Sequence, residues 1–596
     1  MNTINRRLED LRQVMRTEKL DAFIFPSTDP HQGEYVPDHW KGREWISGFN
    51  GSAGTAVVTM NEAALWTDSR YFIAASEQLK GTEFVLMKER IPGTPTISQW
   101  LGRMLQNVKS PQVGIDGTVC SATAVIQLVT ELRHEGGITL RTNFDPLKLI
   151  WNDRPSLPLS PVYVQPLQYA GESAQSKLHR IRKALRQQHA DGMLMCALDD
   201  IAWTLNLRGD DVHCNPVFVS YLLISSQKAT LFVNPDKLTD EVKGYLHNEG
   251  VETDDYNNIV KGLKSYPDYN ILLDENETNY TLAKAVECEK VMGESPVKRM
   301  KTVKNEAEIA GFRQAMLKDG IAMVKFLRWL QPAVEAGGLT EMGVDRKLTS
   351  LRAEQPLFHG ISFDTISGYQ SHGAIVHYEA TPATDSPLRP EGLLLLDSGA
   401  QYVDGTTDIT RTIALGELSD EQRHIYTLVL KGHLQLQNAI FPSHASGTQI
   451  DALARKDMWR EGYNYLHGTG HGVGSFLNVH EGPHQIRMEY KPAPLLPGMT
   501  VTDEPGIYIE GRFGVRIENV LLIKPYATTP FGLFLQFEPL TLCPIDTKPI
   551  VMEMMTNDEL QWLNQYHQMV FDCLAPHLDE QHREWLRSAT KPLNKP

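Results

Sequence analysis

Two stretches of this chain, 170 residues apart, run in step. RLEDLRQVMRTEKLDAFIF (7–25) and KLHRIRKALRQQHADGMLM (177–195) set Leu8 against Leu178, Leu11 against Ile181, Arg12 against Arg182, Met15 against Leu185 and Asp21 against Asp191. In each, apolar residues recur at helical spacing and lead into an apolar segment of strand length. EWISGFNG (44–51) then resembles AWTLNLRG (202–209), and ALWTDSR (64–70) resembles TLFVNPD (230–236). One helix–strand unit looks much like another, but three matches in order predict a duplicated α/β domain.

The duplication occupies only the first half of 596 residues, more than one hydrophobic core usually serves. WNDRPSLPLSP (151–161), Pro-rich and polar, reads as the linker between the copies. GESPVKRMKTVKNEAEI (293–309) reads as a second boundary. It leads into a long helix with Ile309, Phe312, Met316, Ile321, Met323 and Phe326 on one face, which Pro332 is expected to end. From about Thr547 one or two amphipathic helices follow. The predicted domains are therefore 1–155, 160–298 and 300–545, with 546–596 a helical extension of the third.

Composition narrows the function class. Acidic residues outnumber basic ones by 73 to 58, a net charge of −15, which argues against a nucleic-acid partner. No run of apolar residues is long enough to span a membrane, and the first twenty residues lack the apolar core of a secretory leader. Six scattered cysteines without a C-x-x-C pair are expected to be reduced, mostly buried thiols of a cytoplasmic protein.

The third domain carries the chemistry. In HGTGHGVG (467–474) glycine alternates with larger residues, and His467 and His471 stand four apart. On a helix that spacing is a zinc pair, but four glycines there would each cost about 1 kcal/mol. An extended strand suits the alternation and lets another backbone approach closely. The two histidines would then lie roughly 13 Å apart. One can bind a metal; the other works nearby.

Further ligands are at hand. LLLLDSGAQYVDGTTDITRT (393–412) runs a strand into Asp397 and returns through Asp408, and hairpin-like pairing would bring the two together. MTVTDEPGIYIEGRFGVRIENVLLI (499–523) holds Glu504 and Glu518, with Arg516 and Glu518 expected on one face of a strand. Singly, each is explained as a cap, a turn or a satisfied polar residue. Together, one histidine and four carboxylates suit manganese, cobalt or zinc, and bridging carboxylates would hold two ions about 3.5–4 Å apart.

DSGAQYVDGTTDITRT, HGTGHGVGSFLNVHEGP, TDEPGIY and GVRIENV closely resemble the metal-site motifs of the aminopeptidase P family, relatives of methionine aminopeptidase, prolidase and creatinase. The likeness runs from WTDSRYF to the helical tail. It implies an α/β and α+β multidomain chain: two creatinase-N-like α/β domains followed by a pita-bread catalytic domain. It implies that Asp397 holds one ion, that Asp408 and Glu518 bridge two, and that His471 and Glu504 complete the second, most often with Mn2+. A hydroxide shared by the ions would be the nucleophile and Glu504 the proton acceptor. His377 in GAIVHYE, His467 and His480 in NVHEGP resemble the family's substrate histidines, which bind peptide and stabilise the tetrahedral intermediate. Arg70 in WTDSRYF resembles an arginine that reaches the peptide from the first domain, while Arg516 and Tyr508 support the site.

The implied activity is removal of one residue ahead of proline from peptides, by a cytoplasmic enzyme expected to be a homodimer. A prolidase acting on Xaa-Pro dipeptides uses almost the same ligands, and the fold also serves as a non-catalytic peptide-binding module where ligands are lost. The doubled first half favours the longer-substrate enzyme, and the intact ligand set argues against the binder.

Overall fold

The computed structural model describes residues 2–595. Each half of the duplication folds as predicted. In the first, helix α1 (Thr3–Glu18) buries Leu8, Leu11 and Met15 and feeds strand β1 (Ala22–Pro26). A short helix α2 (Gly42–Ser47) follows, then β2 (Thr55–Thr59), β3 (Ala63–Thr67), β4 (Phe84–Lys88), β5 (Gln112–Ile115) and β6 (Thr139–Arg141). In the second, α3 (Ala174–Gln187) buries Leu178, Ile181 and Leu185 and feeds β7 (Met193–Met195). Helix α4 (Leu198–Leu205) precedes β8 (Ser220–Ile224), β9 (Ala229–Val233), β10 (Glu252–Asp254), β11 (Asn270–Leu273) and β12 (Glu289–Met292).

The sheets have the same order, β4–β3–β2–β1–β5–β6 and β10–β9–β8–β7–β11–β12. The matched segments therefore occupy equivalent places: α1 and α3, β1 and β7, α2 and α4, β3 and β9. These halves form one compact unit, and they meet reciprocally. Ala122 N–H donates to Thr278 O (2.9 Å) and Tyr280 N–H to Cys120 O (2.8 Å). Thr123 N–H donates to Glu275 O and Thr281 N–H to Gly117 O, both at 3.1 Å. Each of these four bonds has its counterpart with the halves exchanged, the pattern of an isologous contact made inside one chain.

The second compact unit begins near residue 298. Its long helix α5 (Glu306–Ala336) starts with a reciprocal cap between Asn305 and Glu308. Pro332 does not end it. The ring cannot donate to Arg328 O, but Leu330 and Val334 are buried in one cluster with Val344 and Leu348 of α6 (Glu341–Ala353), and this packing carries the helix past the proline.

Strands β13 (Ile366–Tyr369), β14 (Leu393–Ser398) and β15 (Ile409–Ala414) form an antiparallel sheet with β14 central. Leu393 to Leu396 are all buried, because a central strand covered on both faces needs an unbroken apolar run. Helices α7 (Asp420–Gln437) and α8 (Gly447–Arg460) separate β15 from the glycine-rich stretch. Beyond it lie β18 (Glu481–Ile486), β19 (Thr500–Asp503), β20 (Gly506–Ile509), β21 (Phe513–Arg516), β22 (Asn519–Thr529) and β23 (Gly532–Pro539), with β16 (Ile440–Pro442) and β17 (Gly470–Gly472) before them. A four-stranded sheet has the order β16–β23–β22–β19. Helices α9 (Asn557–Leu574) and α10 (Glu580–Ala589) form the C-terminal extension.

All six cysteines are free; Cys120, Cys196 and Cys543 are buried, and the other three are not, fewer than expected. Among the described residues no helix is long and apolar enough to cross a membrane.

Candidate metal centre

Strand pairing sets the first two carboxylates. In the β14–β15 ladder Asp397 faces Thr410 and Ser398 faces Ile409, so Asp408, one residue before β15, arrives beside Asp397. Arg516 at the end of β21 reaches the same place. Its Nη2 lies 2.7 Å and its Nε 3.2 Å from Asp397 Oδ2.

The glycine-rich stretch is strand only over Gly470–Gly472, shorter than its alternation suggests. The glycines are needed for close approach: a Cβ on Gly470 would stand 1.9 Å from Thr502 O, and one on Gly472 2.6 Å from Glu481 O. His471 N–H donates to Thr502 Oγ1 (3.0 Å), and its Nδ1–H donates to Gly472 O (2.9 Å). That bond leaves Nε2 to point inward, 3.4 Å from Asp408 Oδ2 and 3.5 Å from Glu504 Oε1.

Glu504 directly follows β19. Glu518 and Ile517 fall in a break between β21 and β22, so Arg516 and Glu518 do not share one strand as expected. The break is stabilised from both sides: Glu518 N–H donates to Thr410 O (3.1 Å), and Thr410 Oγ1 donates to Glu518 Oε2 (2.7 Å). Ligand atoms of Asp408, His471 and Glu518 all lie within 4.8 Å of one another.

Such a cluster has an excess of buried negative charge. Burial, then the neighbouring Asp408, raise Asp397 even against the pull of Arg516. Burial raises Glu504 to about 8 despite His471, and burial with three carboxylate neighbours lifts Glu518 well above the usual range. Burial would lower His471, but the Asp408 hydrogen bond and the Glu504 charge outweigh it and raise it to about 9. Asp397 Oδ1 is buried without a hydrogen-bond partner. These groups fit divalent cations: the donor set is oxygen-rich with one imidazole, and added positive charge relieves their repulsion.

His467 stands apart from this cluster. Its Nδ1–H donates to Gly468 O (2.7 Å), Tyr508 OH donates to its Nε2 (2.8 Å), and Arg516 Nη1 donates to the Tyr508 oxygen (2.7 Å). The His480 ring sits 4.4 Å from the His471 ring. Arg516 Nη2 also donates to Val376 O (3.3 Å), tying the segment that carries His377 to Asp397. Arg70 belongs to the first unit, where Asp68 (2.7 Å) and Glu34 (3.4 Å) hold its guanidinium.

Sequence reading passed over several groups that shape the centre. Thr410 and Thr502 orient Glu518 and His471. Glu481, next to His480, forms a fully buried ion pair with Lys304. Of these, only Glu481 carried a local signal, a charge in the Gly- and Pro-marked NVHEGP.

Comparison with known proteins finds four family matches in order along the chain. The description "Creatinase/Prolidase N-terminal domain" matches residues 7–140 and again 153–308. "Metallopeptidase family M24" matches 310–525, and "C-terminal region of peptidase_M24" matches 533–593. A probable Xaa-Pro aminopeptidase P of Aspergillus fumigatus is 40% identical over 100% of this chain and 94% of its own length. The chain belongs to metallopeptidase family M24, among its Xaa-Pro aminopeptidases. Aminopeptidase P1 of Arabidopsis thaliana is 37% identical over 98% of the chain and 99% of its own. An X-prolyl aminopeptidase of Caenorhabditis elegans, described as a cytosolic enzyme with a di-nuclear active site, superposes with a TM-score of 0.95 over 100% of both chains at 34% identity. An Xaa-Pro dipeptidase of Bacillus anthracis covers only 63% of this chain, and 99% of its own, with a TM-score of 0.51 and 26% identity. As an M24 peptidase, the chain combines two creatinase-N-like α/β domains with a pita-bread catalytic domain and is a metal-dependent hydrolase.

Proposed function

We propose that this chain is a dinuclear aminopeptidase that releases the first residue from peptides with proline in second position. The observation that carries this reading is the convergence of Asp408, His471 and Glu518 within 4.8 Å, with Glu504 3.5 Å from His471 and Asp397 beside Asp408. Asp397, Asp408, His471, Glu504 and Glu518 would hold two divalent cations, Mn2+ by family likeness and Co2+ or Zn2+ by ligand chemistry. Bound there, the cations acidify water and polarise the scissile carbonyl.

The residues do the rest. Glu504, a carboxylate at the edge of the same centre 3.5 Å from His471, takes the proton of the attacking water. His377, His467 and His480 bind the peptide and stabilise the tetrahedral intermediate. Tyr508 and Arg516 hold His467 and Asp397 in register, and family likeness alone supports a peptide-binding role for Arg70. Proline lacks an N–H and fixes φ, so a site built for the imide bond serves substrates that general peptidases handle poorly.

Domain limits at 1–155, 160–298, 300–545 and 546–596 keep every strand of each six-stranded sheet within one domain. Likeness to the nematode enzyme supports a cytosolic location, and family likeness supports a homodimer.

The test is a paired assay of metal-loaded protein on an Xaa-Pro-Xaa tripeptide, its Xaa-Ala-Xaa twin and an Xaa-Pro dipeptide. Preference for the first is expected. Equal rates on the two tripeptides would defeat the specificity, and turnover of the dipeptide alone would make the protein a prolidase.

A further inference from the structure

Glu341 opens α6, and its side chain is 0% exposed. A buried carboxylate is costly unless donors saturate it. Among the described residues its donors come from residues 369–386. Tyr369 N–H donates to Oε1 (2.8 Å), His372 Nδ1–H lies 2.9 and 3.0 Å from the two oxygens, and Tyr378 OH (2.9 Å) and Ser386 N–H (3.0 Å) donate to Oε2. The backbone of α6 answers: Glu341 N–H donates to Ser386 O (3.1 Å), and Met342 N–H to Asp385 Oδ1 (3.0 Å). The His372 and Tyr378 rings stack at 4.4 Å.

One carboxylate thus gathers the connection between β13 and β14. His377 sits in that connection, next to Tyr378, and Val376 O accepts from the guanidinium that grips Asp397. The His377 segment is held from two sides, by Glu341 and by Arg516.

We propose that Glu341 is a positioning residue for the peptidase reaction, acting through His372 and Tyr378 to set His377 against the peptide. This rests on the role given to His377 above. Each Glu341 oxygen accepts from at least two donors, so a carboxamide of equal volume must turn its own N–H groups toward one of those pairs. Displacement of a substrate-contacting group by about 1 Å is enough to cost on the order of 100-fold in rate.

The experiment is a double-mutant cycle on the manganese-loaded full chain with an Xaa-Pro-Xaa tripeptide. Glu341→Gln, His377→Ala and the double variant are compared for kcat/KM, bound manganese and unfolding temperature. The expected result is a loss of about 10- to 100-fold for Glu341→Gln with manganese content unchanged, and no further loss when it is added to His377→Ala. Tyr378→Phe, which removes one hydroxyl donor, should lose less and likewise lose nothing more in the His377→Ala background. It carries the cycle if Glu341→Gln fails to fold. A Glu341→Gln or Tyr378→Phe loss of equal size in both backgrounds, or none in either, overturns the proposal. Full activity in His377→Ala overturns the histidine's role and the proposal with it, and is separately visible in the single variant.

Discussion

Arg516 meets Asp397 through one oxygen: Nη2 and Nε lie 2.7 and 3.2 Å from Oδ2, while Oδ1 has no hydrogen-bond partner. The pair is buried, and the same guanidinium reaches Tyr508 OH and Val376 O. One carboxylate oxygen is thereby fixed and the other is left without a partner, so the arginine sets the orientation of the Asp397 side chain beside Asp408.

Replacing Arg516 by Lys keeps the charge but loses the planar fork. We expect kcat/KM to fall at least about tenfold, and Arg516→Gln to lower stability by roughly 3 kcal/mol, since an unpaired buried carboxylate remains. Saturating manganese should restore part of that stability in Arg516→Gln. Thermal unfolding with and without the ion checks this; a variant as stable as wild type without metal would show that the pair contributes nothing.

Glu504→Ala should abolish turnover, by about 1,000-fold or more, with the fold retained. Single-turnover kinetics and circular dichroism measure the two halves of that statement. Residual activity within about tenfold of wild type would assign the proton transfer to another group.

Metal binding should release protons. Glu504 titrates at about 8 and Asp397 and Glu518 are raised, so cations compete with protons for these oxygens. Affinity is expected to rise with pH up to about 9, since His471 must also lose its proton to bind an ion, and calorimetry in buffers of different ionisation heat counts the protons. At a free-ion concentration of about 100 times Kd the folded state gains about 2.7 kcal/mol, which chelator should reverse.

His567, in α9, is remote in sequence from the metal residues. Burial, then the charge of Arg411, lower its pKa to about 4, while Ile545 N–H donates to its Nε2 at 3.1 Å. The unfolded chain takes up the proton first, at about 6.5. The stabilisation is therefore present above pH 6.5 and disappears as pH falls toward 4, on the order of 3 kcal/mol in all. His567→Asn should flatten the acid arm of the stability profile measured by urea unfolding. An unchanged slope between pH 6.5 and 4.5 would remove His567 from the account.

The sequence by itself determined what depends on periodicity and local backbone chemistry. Leu8 with Leu178 and Leu11 with Ile181 announced two copies of one helix–strand unit, and the two sheets have the same strand order. Asp397, Asp408, His471, Glu504 and Glu518 could be singled out because a polar side chain in a Gly- or Pro-marked apolar strand needs a reason. Tertiary structure alone decided where the regular elements stop. Packing of Leu330 and Val334 carries α5 through Pro332, and the Thr410 contacts open the break that holds Glu518. It also decided what Glu341, Thr410 and Lys304 are for, since their partners lie 28 to 45, 106 to 108 and 177 residues away. A buried charge is defined by the donors that surround it, and no local pattern records which distant segment will supply them.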